Sequence, residues 1–159
     1  MKKVKFLTQA SIIAAVYVVL TLFSNMLGLA SGVIQIRLSE SLCILPLFTP
    51  AAIPGVFLGC LISNLLCGCV FWDIVFGSLA TLIGALFTYL LRQNKYIATL
   101  PPILSNTIII PFVLKFSYGI PGSIWYFFIT VGIGEIISCG ILGIILYNCL
   151  KKYENHINF

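Results

Sequence analysis

The chain has 159 residues, 60% of them hydrophobic and 8% charged, with nine Lys+Arg against four Asp+Glu for a formal net charge of +5. A soluble domain carries about 25% charged residues, so this chain cannot cover a water-facing surface. That excludes a soluble enzyme, a disordered tail and a disulfide-rich secreted module.

The basic residues are divided between the two termini and one central break, which argues against a nucleic-acid partner and for a multispanning protein in a lipid bilayer. A helix needs about 20 apolar residues to cross a hydrocarbon core of about 30 Å. The apolar runs predict an all-α integral membrane protein, a single transmembrane domain over residues 1–159 with about six transmembrane helices. The first covers 6–27; it is preceded by Lys2, Lys3 and Lys5 and is read as a retained helix, since no small-residue cleavage site leads into a polar domain. A glycine-containing break at 28–32 follows. The second span, 35–48, and the third, 54–71, are short, and Pro46, Pro50 and Pro54 crowd their junction, where each removes a backbone donor. The fourth span covers 73–91. The polar break Arg92-Gln93-Asn94-Lys95 separates it from the fifth, 100–116. Gly119-Ile120-Pro121-Gly122 then turns the chain into a long sixth span, 123–150, which is tilted or starts with an interfacial turn.

An even number of spans places both termini and the Arg92–Lys95 break on one side. Lys2, Lys3, Lys5, Arg92, Lys95, Lys151 and Lys152 gather there, and the positive-inside rule makes that side cytoplasmic. The expected location is a plasma membrane. With Glu154 set aside as well, five charges remain: Arg37, Glu40, Asp73, Lys115 and Glu135, summing to −1 and all falling toward the external half. Glu135 lies about 24 Å above the inner surface at about 1.5 Å per helical residue, and a carboxylate at that depth costs at least about 2.5 kcal/mol unless it faces a cavity or a partner. An acidic cluster open to the outside suits a cationic or donor-rich ligand.

Each of these residues has a plainer reading. Arg37 and Glu40, three apart on one helix face, make a structural ion pair equally well. Asp73 beside Trp72 suits an interfacial helix start, and Lys115 can extend to the headgroups. Asn64 and Asn106 lie within spans and either meet a ligand edge or join two helices. Ala10-x-x-x-Ala14 and Gly55-x-x-x-Gly59 are small-residue ridges that allow close helix approach. Cys43, Cys60, Cys67, Cys69, Cys139 and Cys149 lie in apolar runs and read as free buried thiols. Cys67-Gly68-Cys69 lacks zinc-ligand spacing, and the only histidine is His156 in the tail, so no metal site and no cofactor are expected. No P-loop or nucleophile motif occurs, so the chain cannot itself hydrolyse ATP and is not expected to be an enzyme.

Gln35-Ile36-Arg37-Leu38-Ser39-Glu40, the block from Leu45-Pro46-Leu47-Phe48-Thr49-Pro50 to Pro54-Gly55, the block from Asp73-Ile74-Val75-Phe76-Gly77 to Leu82, and Gly134-Glu135 together resemble the QueT family. Those proteins are substrate-binding (S) components of energy-coupling-factor (ECF) transporters for queuosine precursors, and the likeness covers nearly the whole chain. The resemblance implies an S-component-like six-helix bundle that takes up a 7-deazaguanine, preQ1 or preQ0, from outside. It implies an ECF transmembrane coupling protein and two cytoplasmic ATPase subunits as partners. It assigns Ala10, Ala14 and Ala15 on the first helix to the coupling-protein interface and 28–34 to a lid over the substrate. Within that reading Glu135 or Glu40 accepts the two parallel donors of a guanine-like edge, and Asp73 or the second carboxylate meets a cationic aminomethyl group. Asn64 and Asn106 meet the carbonyl and ring nitrogen, Arg37 belongs to the same cluster, and Trp72, Phe71, Trp125 or Tyr126 either stack on the ring or form an interfacial belt. The alternative is a stand-alone secondary transporter of a small polar or cationic solute with Glu135 as proton carrier, though the chain is short for one and shows no inverted repeat.

Overall fold

The computed structural model describes residues 2–30 and 34–153. Every regular element among them is helical: α1 (Lys2–Met26), a 3-10 helix (Leu38–Leu47), α2 (Ala52–Leu66), α3 (Phe71–Leu90), the one-turn α4 (Lys95–Ala98), α5 (Leu100–Phe116), α6 (Ile124–Glu135), a π-helical stretch (Ile136–Leu142) and α7 (Gly143–Tyr153). Four continuous segments are long and apolar enough to cross a membrane: Lys2–Met26, Phe71–Leu90, Lys95–Phe116 and Ile124–Lys152. Their outward faces are apolar, as lipid requires. Val4, Leu7, Ile12, Val19 and Phe23 project from α1, and Ile129, Ile133, Ile136 and Ile141 from the last segment.

The second and third passes are where the structure differs from the count of six full spans. The expected span 35–48 is a ten-residue 3-10 helix that contains Pro46. At about 2.0 Å rise per residue it reaches only about 20 Å, and the fifteen residues of α2 reach about 22 Å at 1.5 Å each. Neither covers a 30 Å core alone. Instead the 3-10 helix is threaded through the middle of the bundle. It packs against α1, α2, α3, α7 and the π stretch, with Leu42, Cys43, Ile44, Leu45 and Pro46 all buried. Leu42 and Leu45 join Tyr17, Val56, Cys60 and Ala85 in the core cluster.

Small residues set the helix spacing. A Cβ on Gly55 would lie 2.9 Å from the Ile13 side chain and 3.0 Å from the Ala10 carbonyl, and one on Gly59 would lie 2.6 Å from the Tyr17 Cβ. The two ridges seen in the sequence are therefore packed against each other, α1 on α2. Ala10 and Ala14 are only 6% and 7% exposed, so they are spent inside the bundle and are not a surface for a partner. Of the three residues assigned to the coupling interface, Ala15 alone is exposed. Proline and glycine do the same between α3 and α5, where a Cβ on Gly84 would fall 2.6 Å from the Pro102 Cα.

The basic residues meet at one end of the bundle. Lys95 Nζ donates to the Asn148 side chain at 2.8 Å, Lys151 Nζ lies 3.2 Å from the Tyr147 hydroxyl, and Arg92 stacks on Tyr89. The loop joining α2 to α3 and the one joining α5 to α6 lie at the opposite end, tied by the Tyr118 hydroxyl accepting from the Val70 amide at 3.3 Å.

Candidate functional site

Residues 35–40 reach the middle of the bundle from the α1 side and are gripped there by three residues on one face of α1. Tyr17, Thr21 and Ser24, at the i, i+4, i+7 spacing that aligns side chains along a helix, are all buried. The Tyr17 hydroxyl donates to Glu40 Oε1, Thr21 Oγ1 donates to Ser39 Oγ at 2.8 Å, and the Leu38 amide donates to Ser24 Oγ at 2.9 Å. On the other side the Arg37 amide donates to Ser138 Oγ at 3.2 Å. Ser138 lies in the π stretch, which begins directly after Glu135; such local widening of a helix is frequent at functional sites. Gly134 makes the approach possible, because a Cβ there would overlap the Gln35 carbonyl.

The segment held in this way walls two adjoining chambers. An inner one of about 30 Å³ is lined by Arg37, Glu40, Cys60, Thr81, Asn106 and Glu135 among others. That volume has room for a water and is too small for a bicyclic heterocycle. An outer one of about 210 Å³ opens toward the end opposite the basic residues and is lined by Arg37, Asn64, Cys69, Asp73, Leu114 and Tyr118 among others. Gln35, Arg37 and Ile110 belong to both, so the Arg37 side chain stands in the wall between them.

Six of the seven residues assigned to ligand binding from the sequence come together here, drawn from five elements. Glu40 is 2% exposed, Asp73 5%, Asn64 1% and Asn106 3%, while Arg37 and Glu135 are half-buried against the chambers. Arg37 Nη1 donates to Asn64 Oδ1 at 3.3 Å, and Asp73 and Glu40 are its main anionic neighbours. Asp73 sits in the first turn of α3, where the helix dipole favours a carboxylate, and its Oδ2 accepts from the Tyr118 hydroxyl at 2.8 Å. Burial and then that same carboxylate push the Tyr118 phenol well above its ordinary pKa, so it stays a neutral donor. A Cβ on Gly77 would come within 3.2 Å of Asn64 Nδ2 and 3.3 Å of Asp73 Oδ1; this glycine lets the two polar groups close over α3.

The seventh does not join them. Trp72 is 52% exposed, and Phe71, Trp125 and Tyr126 are 65%, 73% and 47% exposed. Trp72 stacks on Phe76 at 5.7 Å between ring centroids, so these aromatics face outward as a belt. Lys115 also stays apart: its Nζ donates to the Gly122 carbonyl at 2.7 Å, closing the turn after α5. The thiols are free as expected, but not all are buried, since Cys67 and Cys69 are half-exposed and Cys149 is exposed. The proposed lid 28–34 falls partly outside the described residues, at Ser31–Val33, and so does the tail with Glu154 and His156. Tyr17, Thr81 and Tyr118 complete the site and were not singled out from sequence, while Gln35 was named only within the family-like block and Cys139 only as a free thiol; a tyrosine in an apolar helix or turn reads as an interfacial residue.

The arrangement is a partly open polar pocket inside the bundle, acidic on balance, with amide and hydroxyl groups around its carboxylates. It is equipped to hold a small polar solute. Residues 7–152 of the chain match the QueT transporter family. Over 85 residues the chain is 38% identical to the "Queuosine precursor transporter QueT" of Lactococcus lactis subsp. cremoris (strain MG1363). That match spans 52% of this chain and 50% of the relative, about half its length. No solved structure matches the chain significantly.

Proposed function

Since the chain belongs to the QueT transporter family and is a multi-pass protein of the bacterial cell membrane, we propose that it is the substrate-binding (S) component of an energy-coupling-factor importer for a queuosine precursor, a 7-deazaguanine of the preQ1 or preQ0 type. The observation that carries this reading is the convergence of Glu135, Glu40, Asp73 and Arg37 on chambers that open at the end opposite the basic residues. With the basic end cytoplasmic by the positive-inside rule, the mouth faces outside.

The geometry favours one carboxylate for the guanine-like edge. Glu40 is nearly sealed and already accepts from Tyr17 and Cys43. Glu135 borders the inner chamber with part of its surface open. It is therefore the group to accept the ring N–H and exocyclic amine as a parallel pair, with Asn106 beside it for the carbonyl. Asp73, at the outer chamber with Tyr118, suits a cationic substituent. Entry of the ring requires Arg37 to swing aside, merging the two chambers.

The chain catalyses no reaction in this scheme; energy comes from an ECF transmembrane coupling protein and two cytoplasmic ATPase subunits. The face of α1 turned away from α2 suits the coupling protein. Thr8, Ser11 and Ala15 are exposed there, and the two hydroxyls return to the Val4 and Leu7 carbonyls at 2.9 Å each, leaving a smooth surface without unmet donors. The test is a binding titration of purified protein with preQ1, preQ0, guanine and unrelated vitamins. Saturable binding of a deazaguanine is expected, and its absence refutes the substrate assignment; uptake that persists without the ATPase subunits refutes the S-component role.

A further inference from the structure

Behind the inner chamber the 3-10 helix and the π stretch bring together a set of donors that solute binding does not require. A Glu40 carboxylate oxygen, Cys43 Sγ and Cys139 Sγ all lie within 4.8 Å of one another, and all three residues are buried. Cys43 Sγ is 3.3 Å from Glu40 Oε2, and Cys139 Sγ is 3.3 Å from Glu135 Oε2. Two thiols and two carboxylates form the mixed sulfur–oxygen set that a borderline cation such as Zn²⁺ accepts. Mg²⁺ and Ca²⁺ prefer oxygen alone. The two thiol–carboxylate separations of 3.3 Å match a tetrahedron with zinc–sulfur bonds of about 2.3 Å and zinc–oxygen bonds of about 2.0–2.2 Å, whose neighbouring donors lie about 3.5 Å apart, and Glu135 completes it by closing from Cys139 onto the Glu40–Cys43–Cys139 group.

Outer-shell support is present as well. Metal-bound carboxylates are characteristically oriented by further hydrogen bonds. Here the Tyr17 hydroxyl occupies the other oxygen of Glu40, and Asn106 lines the same chamber wall as Glu135. Glu40 and Glu135 both border the inner chamber, which supplies a route in from the outer mouth.

We propose that Glu40, Cys43, Cys139 and Glu135 form a binding site for a zinc-type divalent cation at the floor of the inner chamber, and that its occupation excludes the organic solute. Binding replaces the two thiol protons, which pass to solvent, by two metal–sulfur bonds, with no change of oxidation state. Exclusion follows because Glu135 cannot serve a cation and a guanine-like edge at once. That second half rests on the solute reading above; the first does not.

The test uses the full chain in detergent under a phosphine reductant, with Cd²⁺ as the spectroscopic probe. A Cys67→Ser/Cys69→Ser/Cys149→Ser background removes the more accessible thiols. A sulfur-to-cadmium charge-transfer band saturating at one cation per chain is expected there. Adding Cys43→Ser/Cys139→Ser should abolish it, and Tyr17→Phe should weaken Cd²⁺ binding by about tenfold. No saturable band in the background protein, or a band that survives the double replacement, overturns the site. Should the double variant not fold, X-ray absorption of Zn²⁺ bound to the background protein decides without it. Two sulfur neighbours at about 2.3 Å with oxygen completing the shell support the site, and any other sulfur count overturns it. In competition, Cd²⁺ should raise the apparent Kd for preQ1 in the background protein and leave it unchanged in the double variant. Solute binding that ignores Cd²⁺ overturns the exclusion, whereas a protein that binds Cd²⁺ as stated but no deazaguanine overturns the solute reading and leaves the metal site standing.

Discussion

Glu135 and Glu40 both border the inner chamber and differ in surroundings. Glu40 is locked by the Tyr17 hydroxyl and the Cys43 thiol, so it acts as part of the frame, while Glu135 faces open volume. Glu135→Gln keeps the shape and removes the charge; titration should show deazaguanine binding weakened by about 1.5–3 kcal/mol, the worth of a hydrogen bond to a charged group. An unchanged Kd in a folded variant takes Glu135 out of the site. Tyr17→Phe has a different signature. It leaves a buried Glu40 oxygen without its donor, which costs about 1–3 kcal/mol, and thermal unfolding in detergent should show the loss even without ligand. The inward position of Glu135 was legible from its depth in an apolar span, because lipid tolerates a carboxylate only where something receives it. Tyr17 was not legible: nothing in an apolar helix distinguishes a tyrosine facing lipid headgroups from one reaching a carboxylate 23 residues away.

At the scale of elements, α1 has two working faces. One carries Tyr17, Thr21 and Ser24 and holds residues 38–40; the other exposes Thr8, Ser11 and Ala15. Ser11→Leu/Ala15→Leu should abolish uptake in cells that contain the ATPase module while preserving binding by the purified protein. Uptake that survives removes this face as the docking surface. Ala14→Leu is expected to act elsewhere, lowering stability by about 1–3 kcal/mol through overpacking against α2, read as a fall in Tm. The sequence displayed both small-residue ridges but could not say that they face each other, since a ridge looks the same whether a neighbour in the chain or another protein fills it. Gly134 presents a similar case. Its replacement by alanine forces the Gln35 backbone away, and both Tm and solute affinity should fall. The glycine was visible beside Glu135, but the close approach that needs it joins residues about a hundred positions apart.

For the whole molecule, charge is divided by depth. Seven basic residues sit at one end and, apart from Glu154 in the tail outside the described residues, four of the remaining five charges meet at the chambers; Lys115 instead closes the α5–α6 turn. Cys67 and Cys149 lie at opposite ends and both reach solvent, so they report orientation without added labels. In intact cells a membrane-impermeant maleimide should modify Cys67 or Cys69 and spare Cys149, and saturating solute should slow the reaction at Cys69, which lines the outer chamber. Modification of Cys149 instead reverses the assigned topology.

Composition, span length and the placement of lysine and arginine determined on their own that the chain is helical, lies in a membrane and carries an acidic cluster in one half. These follow from transfer free energies, which depend on each residue and its neighbours in sequence. Tertiary structure decided the rest. It turned the second span into a proline-containing 3-10 helix that brings Arg37 and Glu40 to the centre, and it turned Ala10 and Ala14 inward. It also sent Trp72 to the periphery and set Cys43 beside Cys139. Each of these depends on which faces of distant segments meet, and packing in a dense interior settles that only once all the helices are in place.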